Sequence, residues 1–265
     1  MLVSEITKEG IQVEMDRLGL SESVPEIFVF EELGSTNQWL IDHLKDDQLK
    51  LCVANVQTEG RGRGGRSWLS PDGGIYLSFN YRVSPHISDF SAVSLVIGLV
   101  LVRVMRSEGV KNVGVKWPND ILIGGSKLAG VLIETKKING CVWLVIGIGL
   151  NTRMPDSSNL PEDINWADLT GQCIGLDDRE RLIALIFNEC NKAMLQFFKE
   201  GFGVFRDEWM RFDAYSGKSV NIVDQGKVTL SGIEAGVDMQ GMLQVLSGSE
   251  LIKIHSGEVS LRINA

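Results

Sequence analysis

Residues 75–83 read IYLSFNYRV, apolar and polar side chains alternating at period two, the pattern of a strand. Shorter β-type runs stand at 51–56 (LCVANV), 113–117, 121–123, 127–135 and 141–150, separated by Gly, Pro or Asn. Together they predict a sheet of several strands. Residues 92–102 (AVSLVIGLVLV) are apolar nearly all round. That run is longer than a strand but shorter than the roughly 20 residues of a bilayer crossing, so it predicts a buried helix over about 89–108. Leu182, Leu185, Ile186, Cys190 and Leu195 lie at helical spacing over 178–200, and a second helix is expected over 204–212. Ser35 or Thr36 can cap a helix running to His43, and 6–18 is read as a short helix ahead of it.

The pattern changes at about Ser216. From there the chain breaks into SVNIV, KVTLSG, GMLQVL, ELIKI and EVSLR, joined by tight turns such as Asp224-Gln225-Gly226 and Ser247-Gly248-Ser249. A small all-β barrel is expected. Fewer than fifty residues stand near the lower limit for an independent core, so this unit is predicted to dock on the larger one. The reading divides the chain into an extension (1–27), a larger mixed unit (28–215) and the small barrel (216–265).

Composition narrows the function. The chain has 265 residues, 44% of them hydrophobic and 23% charged, which describes a folded globular protein. With Lys+Arg 26 against Asp+Glu 34 the formal charge is -8, a field that repels nucleic acid and anionic lipid. Any anion site must therefore be local. Cys52, Cys141, Cys173 and Cys190 are far apart with no C-x-x-C pair, and His43, His86 and His255 lack ligand spacing, so neither a disulfide framework nor a structural metal is expected. The first residues carry acids early and no apolar core, unlike a signal or transit peptide, and a cytoplasmic location is expected.

The local anion site is at 57–68, QTEGRGRGGRSW, where Arg61, Arg63 and Arg66 stand on a glycine-rich backbone. Glycines let main-chain N–H groups approach an anion and guanidinium forks grip its oxygens. Gly60, Gly62 and Gly65 satisfy G-x-G-x-x-G, but a strand-like segment follows and no acid ends a second strand, so a dinucleotide fold is disfavoured. An arginine-glycine RNA-binding tail is disfavoured too, since this segment lies between two strands. Taken alone, it is equally readable as a surface loop with solvated arginines. Lys116-Trp117-Pro118-Asn119-Asp120 and Lys127-Leu128-Ala129-Gly130 add two lysines, an amide and a carboxylate at strand ends. Trp117 is read as mainly structural, Asn119 and Asp120 alternatively as an Asx turn, and Lys127 alternatively as a solvated gatekeeper. Gly147-Ile148-Gly149-Leu150-Asn151 closes a buried strand on an amide.

In order, S-T-N-Q (Ser35 to Gln38), Q-x-x-G-R-G-R-x-G-R-x-W (Gln57 to Trp68), K-W-P-N-D (Lys116 to Asp120), K-L-A-G (Lys127 to Gly130), G-x-G-x-N (Gly147 to Asn151) and the terminal G-E-V-S-L-R (Gly257 to Arg262) resemble the signature of biotin protein ligases. The resemblance runs from about Phe28 to the end. It implies an α+β fold: a mixed β-sheet catalytic domain of the class II aminoacyl-tRNA synthetase type with a C-terminal SH3-like β barrel. Bifunctional members begin with a helix-turn-helix DNA-binding domain. Only some 27 residues precede the match here, so no repressor function or nucleic-acid binding is carried over.

The implied chemistry is ATP-dependent formation of biotinyl-5'-AMP, then transfer of biotin to a lysine of a biotin carboxyl carrier protein, such as that of acetyl-CoA carboxylase. By resemblance, Ser35, Thr36, Asn37 and Gln57, with the main chain of Arg61, Gly62 and Arg63, hold biotin. Arg61, Arg63, Arg66 and Lys127 surround the joined carboxyl and phosphate, with Lys116 as a supporting phosphate contact. Gly60 and Gly130 belong to the binding motifs, Trp68 packs near the cradle and adenine, and Asn119, Asn151 and Arg262 lie on the nucleotide side. Arg63, Lys127 and Asp120 are the implied catalytic residues. Asp120 either holds magnesium, which rides on the phosphates, or orients the incoming amine. No membrane partner is implied, and a homodimer is compatible. A lipoate ligase and a binding module that keeps the adenylate without transferring it are the rival readings.

Overall fold

The structure is a computed structural model that describes residues 5–20, 24–45, 47–83, 90–154, 165–172, 178–256 and 259–264. His86, Cys173, Gly257 and Glu258, named above, and Asp89, where the buried helix is expected to begin, lie outside the described residues. Seven strands, β1 (Glu26–Leu33), β2 (Lys50–Gln57), β3 (Gly74–Val83), β4 (Val113–Lys116), β5 (Asp120–Ile123), β6 (Ser126–Ile138) and β7 (Cys141–Asn151), form one mixed sheet in the order β1-β2-β3-β7-β6-β5-β4. Only the β1–β2 pairing is parallel. The pattern reading passes over β1 (EIFVFEEL), whose acids break the alternation and whose edge position leaves much of it half-buried or exposed.

Among the described residues five α-helices pack with this sheet: α1 (Lys8–Arg17), α2 (Thr36–Asp42), α3 (Val93–Ser107), α4 (Arg179–Glu200) and α5 (Gly203–Arg211). Ser35 is the N-cap of α2 and Asp178 that of α4, each accepting from a backbone N–H one turn on. The apolar run becomes α3, beginning at Val93 after Ala92, with twelve of its fifteen residues buried.

Strand β7 shows how the sheet divides its faces. Leu144, Ile146, Ile148 and Leu150 join the main core with Ile11 and Met15 of α1, Val96 and Val100 of α3, Ile183 and Phe187 of α4 and Phe205 of α5. Truncating one such side chain to Ala costs about 2–5 kcal/mol. Trp143 and Val145, on the opposite face, join a smaller cluster with Leu40 of α2, Leu44 and Cys52. Further along that second face the side chains give way to Gly147 and Gly149, ending at Asn151. The apolar cover stops there and a concavity begins. Strand register sets one lateral row across it: Lys116, Asp120, Gly130, Gly149 and Tyr76 lie opposite one another in turn on β4, β5, β6, β7 and β3.

The remaining strands, β8 (Ser219–Asp224), β9 (Lys227–Val237), β10 (Leu243–Ser247), β11 (Glu250–Ile254) and β12 (Ser260–Ile263), form an antiparallel sheet in the order β11-β10-β9-β8-β12. Val220, Ile222, Val237, Leu243, Val245 and Leu261 from it belong to the same apolar cluster as the larger sheet's core. The small unit is thus stabilised by shared burial. The link is also hydrogen-bonded on both sides: Ala214 N–H donates to Val115 O (2.8 Å), Val115 N–H to Phe212 O (2.8 Å) and Glu234 N–H to Lys218 O (2.9 Å). Trp117 is 1% exposed, and its indole N–H donates to Gly241 O of the small unit (3.2 Å), consistent with a mainly structural tryptophan.

Candidate functional site

The concavity holds a cavity of about 350 Å³. At one end is the N-terminus of α2, where polar side chains bond one another. Gln57 Oε1 accepts from Thr36 N (2.9 Å) and Thr36 Oγ1 (3.1 Å), while its amide donates to Ser70 Oγ (2.9 Å). Ser78 Oγ lies 2.7 Å from Thr36 Oγ1 and 2.6 Å from Asn37 Oδ1. These groups are buried at 7% exposure or less for Ser35, Thr36, Asn37 and Ser78, so their hydrogen-bonding directions are set before a ligand arrives.

The arginine loop crosses the middle. It is not an open nest of amides. Gln57 N–H donates to Ser70 O (3.1 Å), Trp68 N–H to Gly60 O (2.8 Å) and Gly62 N–H to Arg66 O (2.7 Å), an antiparallel ladder closed by a 3-10 turn at Arg63–Gly65. The Gly62 amide is therefore engaged within the loop. Gly60 is buried behind it, where a Cβ would come 2.3 Å from Trp68 O, so its glycine keeps the ladder tight without lining the cavity. Gly64 and Gly65 take φ of 62° and 71°, which lets the turn close. Arg61 pairs with Glu134 (2.9 Å). Arg63 donates to Asn119 Oδ1 (3.4 Å) and to Ser256 O of the small unit, while Arg66 Nε donates back to Arg63 O (3.0 Å). Burial, then Arg66, pulls the Arg63 guanidinium below its ordinary value, with Asp120 partly offsetting them. A second anion beside it would be stabilised.

The far end is cationic. Asp120 takes Lys127 Nζ on Oδ1 (2.6 Å) and Lys116 Nζ on Oδ2 (3.2 Å). Burial pushes this carboxyl up, but the two ammonium groups outweigh it and hold Asp120 below its usual range. Lys127 also stands 4.9 Å from the centre of the Trp68 ring, and so is no solvated gatekeeper. Asn119 is held by the fold at the cavity wall: its amide donates to Val131 O (2.8 Å) and its oxygen accepts from Arg63.

The glycine motif makes the floor. A Cβ at Gly149 would lie 2.5 Å from Trp68 Nε1, one at Gly130 3.0 Å from Trp68 Cζ3, and one at Gly147 2.3 Å from Asn37 Oδ1. Side chains there would displace the indole and the amide. Asn151 is 1% exposed, and its amide donates to Lys127 O (3.4 Å) and Ala167 O (3.1 Å), tying β7 to a strap that pairs alongside Lys127 and carries Trp166 into the cavity wall. Among the described residues, Arg61 Nε, Trp68 Nε1, Asn151 Oδ1 and Trp166 Nε1 are buried polar atoms without a hydrogen-bond partner, and all four belong to cavity-lining side chains. Such groups cost free energy until a ligand satisfies them.

Ser35, Thr36, Asn37, Gln57, Arg61, Gly62, Arg63, Arg66, Trp68, Lys116, Asn119, Asp120, Lys127, Gly130 and Asn151 are thus gathered around one space. Arg262 is not: it is exposed on β12, opposite Asn221, and outside the lining, whereas Ser256 of the small unit meets the cradle, its O accepting from Arg63. Ser78, Glu134 and Trp166 escape the sequence reading. Ser78 and Glu134 are polar interruptions in apolar strands, a faint signal, while Trp166 gives none. The donor set does not match a protein-held magnesium site. Both Asp120 oxygens are engaged by ammonium groups, and no cluster of three His, Cys, Asp or Glu occurs among the described residues.

Comparison with known proteins agrees with this geometry. The family model described as Biotin/lipoate A/B protein ligase family matches residues 29–151, and that described as Biotin protein ligase C terminal domain matches 215–262. Bifunctional ligase/repressor BirA of Escherichia coli is 35% identical over 241 residues, covering 89% of this chain and 74% of that protein. The biotin–acetyl-CoA-carboxylase ligase of Mycobacterium tuberculosis is 28% identical over 250 residues, covering 91% of each. The solved biotin protein ligase from Aquifex aeolicus, in complex with biotin and ATP, has TM-score 0.75 at 28% identity and covers 91% of this chain and 100% of that one. Both units of the chain, in the same order, find their counterparts in these relatives, and the chain belongs to the biotin protein ligase family.

Proposed function

We propose that this cavity performs both steps of biotin ligation, with biotin at the Ser35–Gln57 end and the ATP phosphates at the end of Arg63, Lys116 and Lys127. The protein is an ATP-dependent biotin ligase. The biotin carboxylate attacks the α-phosphorus of ATP, an O–P bond forms as pyrophosphate leaves, and biotinyl-5'-AMP results. A lysine amine of a biotin carboxyl carrier protein then attacks the acyl carbon, AMP leaves, and an amide remains.

The observation that carries this reading is the charge asymmetry of the lining. One end offers hydroxyls and amides suited to a ureido group, and the other gathers Arg63, Arg66, Lys116 and Lys127 about Asp120, the one carboxylate among the described lining residues. The chemistry needs no nucleophile on the enzyme. It needs two anions brought together, through positioning and charge neutralisation. Lys127 and Arg63 supply the fixed positive charge, Asp120 sets the places of Lys116 and Lys127, and Trp68 on its glycine floor offers a surface to adenine. Asn151 Oδ1 and the unsatisfied indole N–H groups are further contacts for the bound nucleotide. Magnesium enters as counterion of the ATP phosphates, and no step here is assigned to it.

We further assign the C-terminal sheet to an SH3-like barrel, the larger unit to the class II synthetase type, residues 216–265 to the smaller domain, the carrier of acetyl-CoA carboxylase as acceptor, the cytoplasm as location, and a homodimer as a candidate assembly. Incubation with labelled biotin, MgATP and a biotin carboxyl carrier domain tests the central reading. Label on one carrier lysine, and pyrophosphate exchange that biotin supports and lipoate does not, are expected. Exchange supported by lipoate, or an adenylate never transferred, would refute it.

A further inference from the structure

Glu134 stands on β6 two residues beyond Leu132, which lines the cavity, while Glu134 itself does not. Its Oε2 accepts from Asn37 Nδ2 (2.8 Å) and from Arg61 Nη2 (2.9 Å). One oxygen thereby joins three pieces of chain: α2, the arginine loop and the sheet. The Asn37 amide, 3% exposed, is fully specified, with its nitrogen on Glu134 and its oxygen 2.6 Å from Ser78 Oγ, in space that Gly147 leaves open. Turned over, it would set its acceptor against the carboxylate. The same carboxylate draws the Arg61 guanidinium to the sheet side, and Arg61 Nε stays buried without a partner on a lining side chain.

We propose that Glu134 is a positioning residue for biotin, holding Asn37 and Arg61 in the arrangement that receives the ureido end while touching no ligand itself. The proposal rests on the placement of biotin at that end of the cavity. The physical reason is asymmetric. Losing the carboxylate leaves a buried amide donor unsatisfied and releases a guanidinium beside the biotin subsite, whereas Lys116 and Lys127, at the phosphate end, have Asp120 as their carboxylate partner. The effect should therefore fall on biotin and spare ATP.

The test compares Glu134→Ala and Glu134→Gln with the unmodified full chain in biotin-dependent pyrophosphate exchange, direct titration with biotin alone, and thermal melting. Glu134→Ala is expected to raise KM for biotin by about ten- to a hundredfold, in step with weaker biotin binding, with KM for ATP changed by less than about threefold. Glu134→Gln keeps an acceptor oxygen for both donors and should recover biotin KM to within about fivefold of normal, which identifies hydrogen-bond geometry as the agent. An unchanged biotin KM in Glu134→Ala overturns the proposal. So does a parallel rise in both KM values with a lowered melting temperature, or an equal loss in Glu134→Gln, because either describes a structural acid. If the unmodified protein neither binds biotin nor exchanges pyrophosphate, the site assignment fails, and this proposal with it.

Discussion

Replacing Lys127 separates its electrostatic work from its structural work. The reacting carboxylate and α-phosphate are both anions. Two unit charges about 4 Å apart repel by about 4 kcal/mol at an effective dielectric of about 20, and an ammonium fixed beside both offsets much of that. Lys127 is so fixed, 2.6 Å from Asp120 and 4.9 Å from the Trp68 ring centre. Removing one preorganised electrostatic group typically lowers the chemical rate by roughly 10²- to 10³-fold, or about 3–4 kcal/mol. Lys127→Ala should do this to single-turnover adenylation, with biotin affinity changed by only a few-fold. Lys127→Gln, which retains reach but no charge, should recover little. The substitution also leaves Asp120 with Lys116 alone at 3.2 Å, a loss of about 1–3 kcal/mol in stability. At about 2–4 °C per kcal/mol, the melting temperature should fall by roughly 2–12 °C. Adding Asp120→Asn removes the under-paired carboxylate and should restore the melting temperature but not the rate. Adenylation by folded Lys127→Ala within a few-fold of normal would refute the reasoning, and so would recovery of rate in the double variant.

Arg63→Gly removes a partly desolvated guanidinium from the anionic centre, and preformed biotinyl-5'-AMP should dissociate about tenfold faster or more in a trapping assay, while slower or equal release would contradict the assignment. Gly149→Ala sets a methyl 2.5 Å from Trp68 Nε1 and must displace the indole, so KM for ATP should rise by about tenfold with biotin binding preserved, as titration calorimetry can decide. At the link between the units, burial and then Asp213 push the Glu234 carboxyl up to about 8. Its folded value exceeds its unfolded one, so its contribution to stability is full below the ordinary carboxyl range and is lost as pH rises through about 8. The melting temperature should fall between about pH 5 and pH 9, and less steeply in Glu234→Gln. Parallel curves for the two proteins would refute this.

Much was legible because it is local. Alternation along 75–83, the all-round apolar run that became α3, and the spacing of Leu182 to Leu195 each report a period that the backbone imposes within a few residues. The arginines of 57–68, Lys116, Asp120 and Lys127 announced charge chemistry because so many cations in an acidic chain need a reason. By itself the sequence determined the strand and helix periods, the break near Ser216 and the residue types of the site. Tertiary structure alone decided that β1 adds a parallel edge, that Gly62 spends its amide inside the loop, that Arg262 stays out of the cavity, and that Glu134 reaches Asn37 across 97 positions. It also showed why Gly130, Gly147 and Gly149 are glycines: an indole and an amide from remote segments occupy the space their side chains would fill. The physical reason is range. Periodicity and turn chemistry act over a few residues of chain, whereas pairing register, burial and the choice of hydrogen-bond partner arise only when distant segments share one surface.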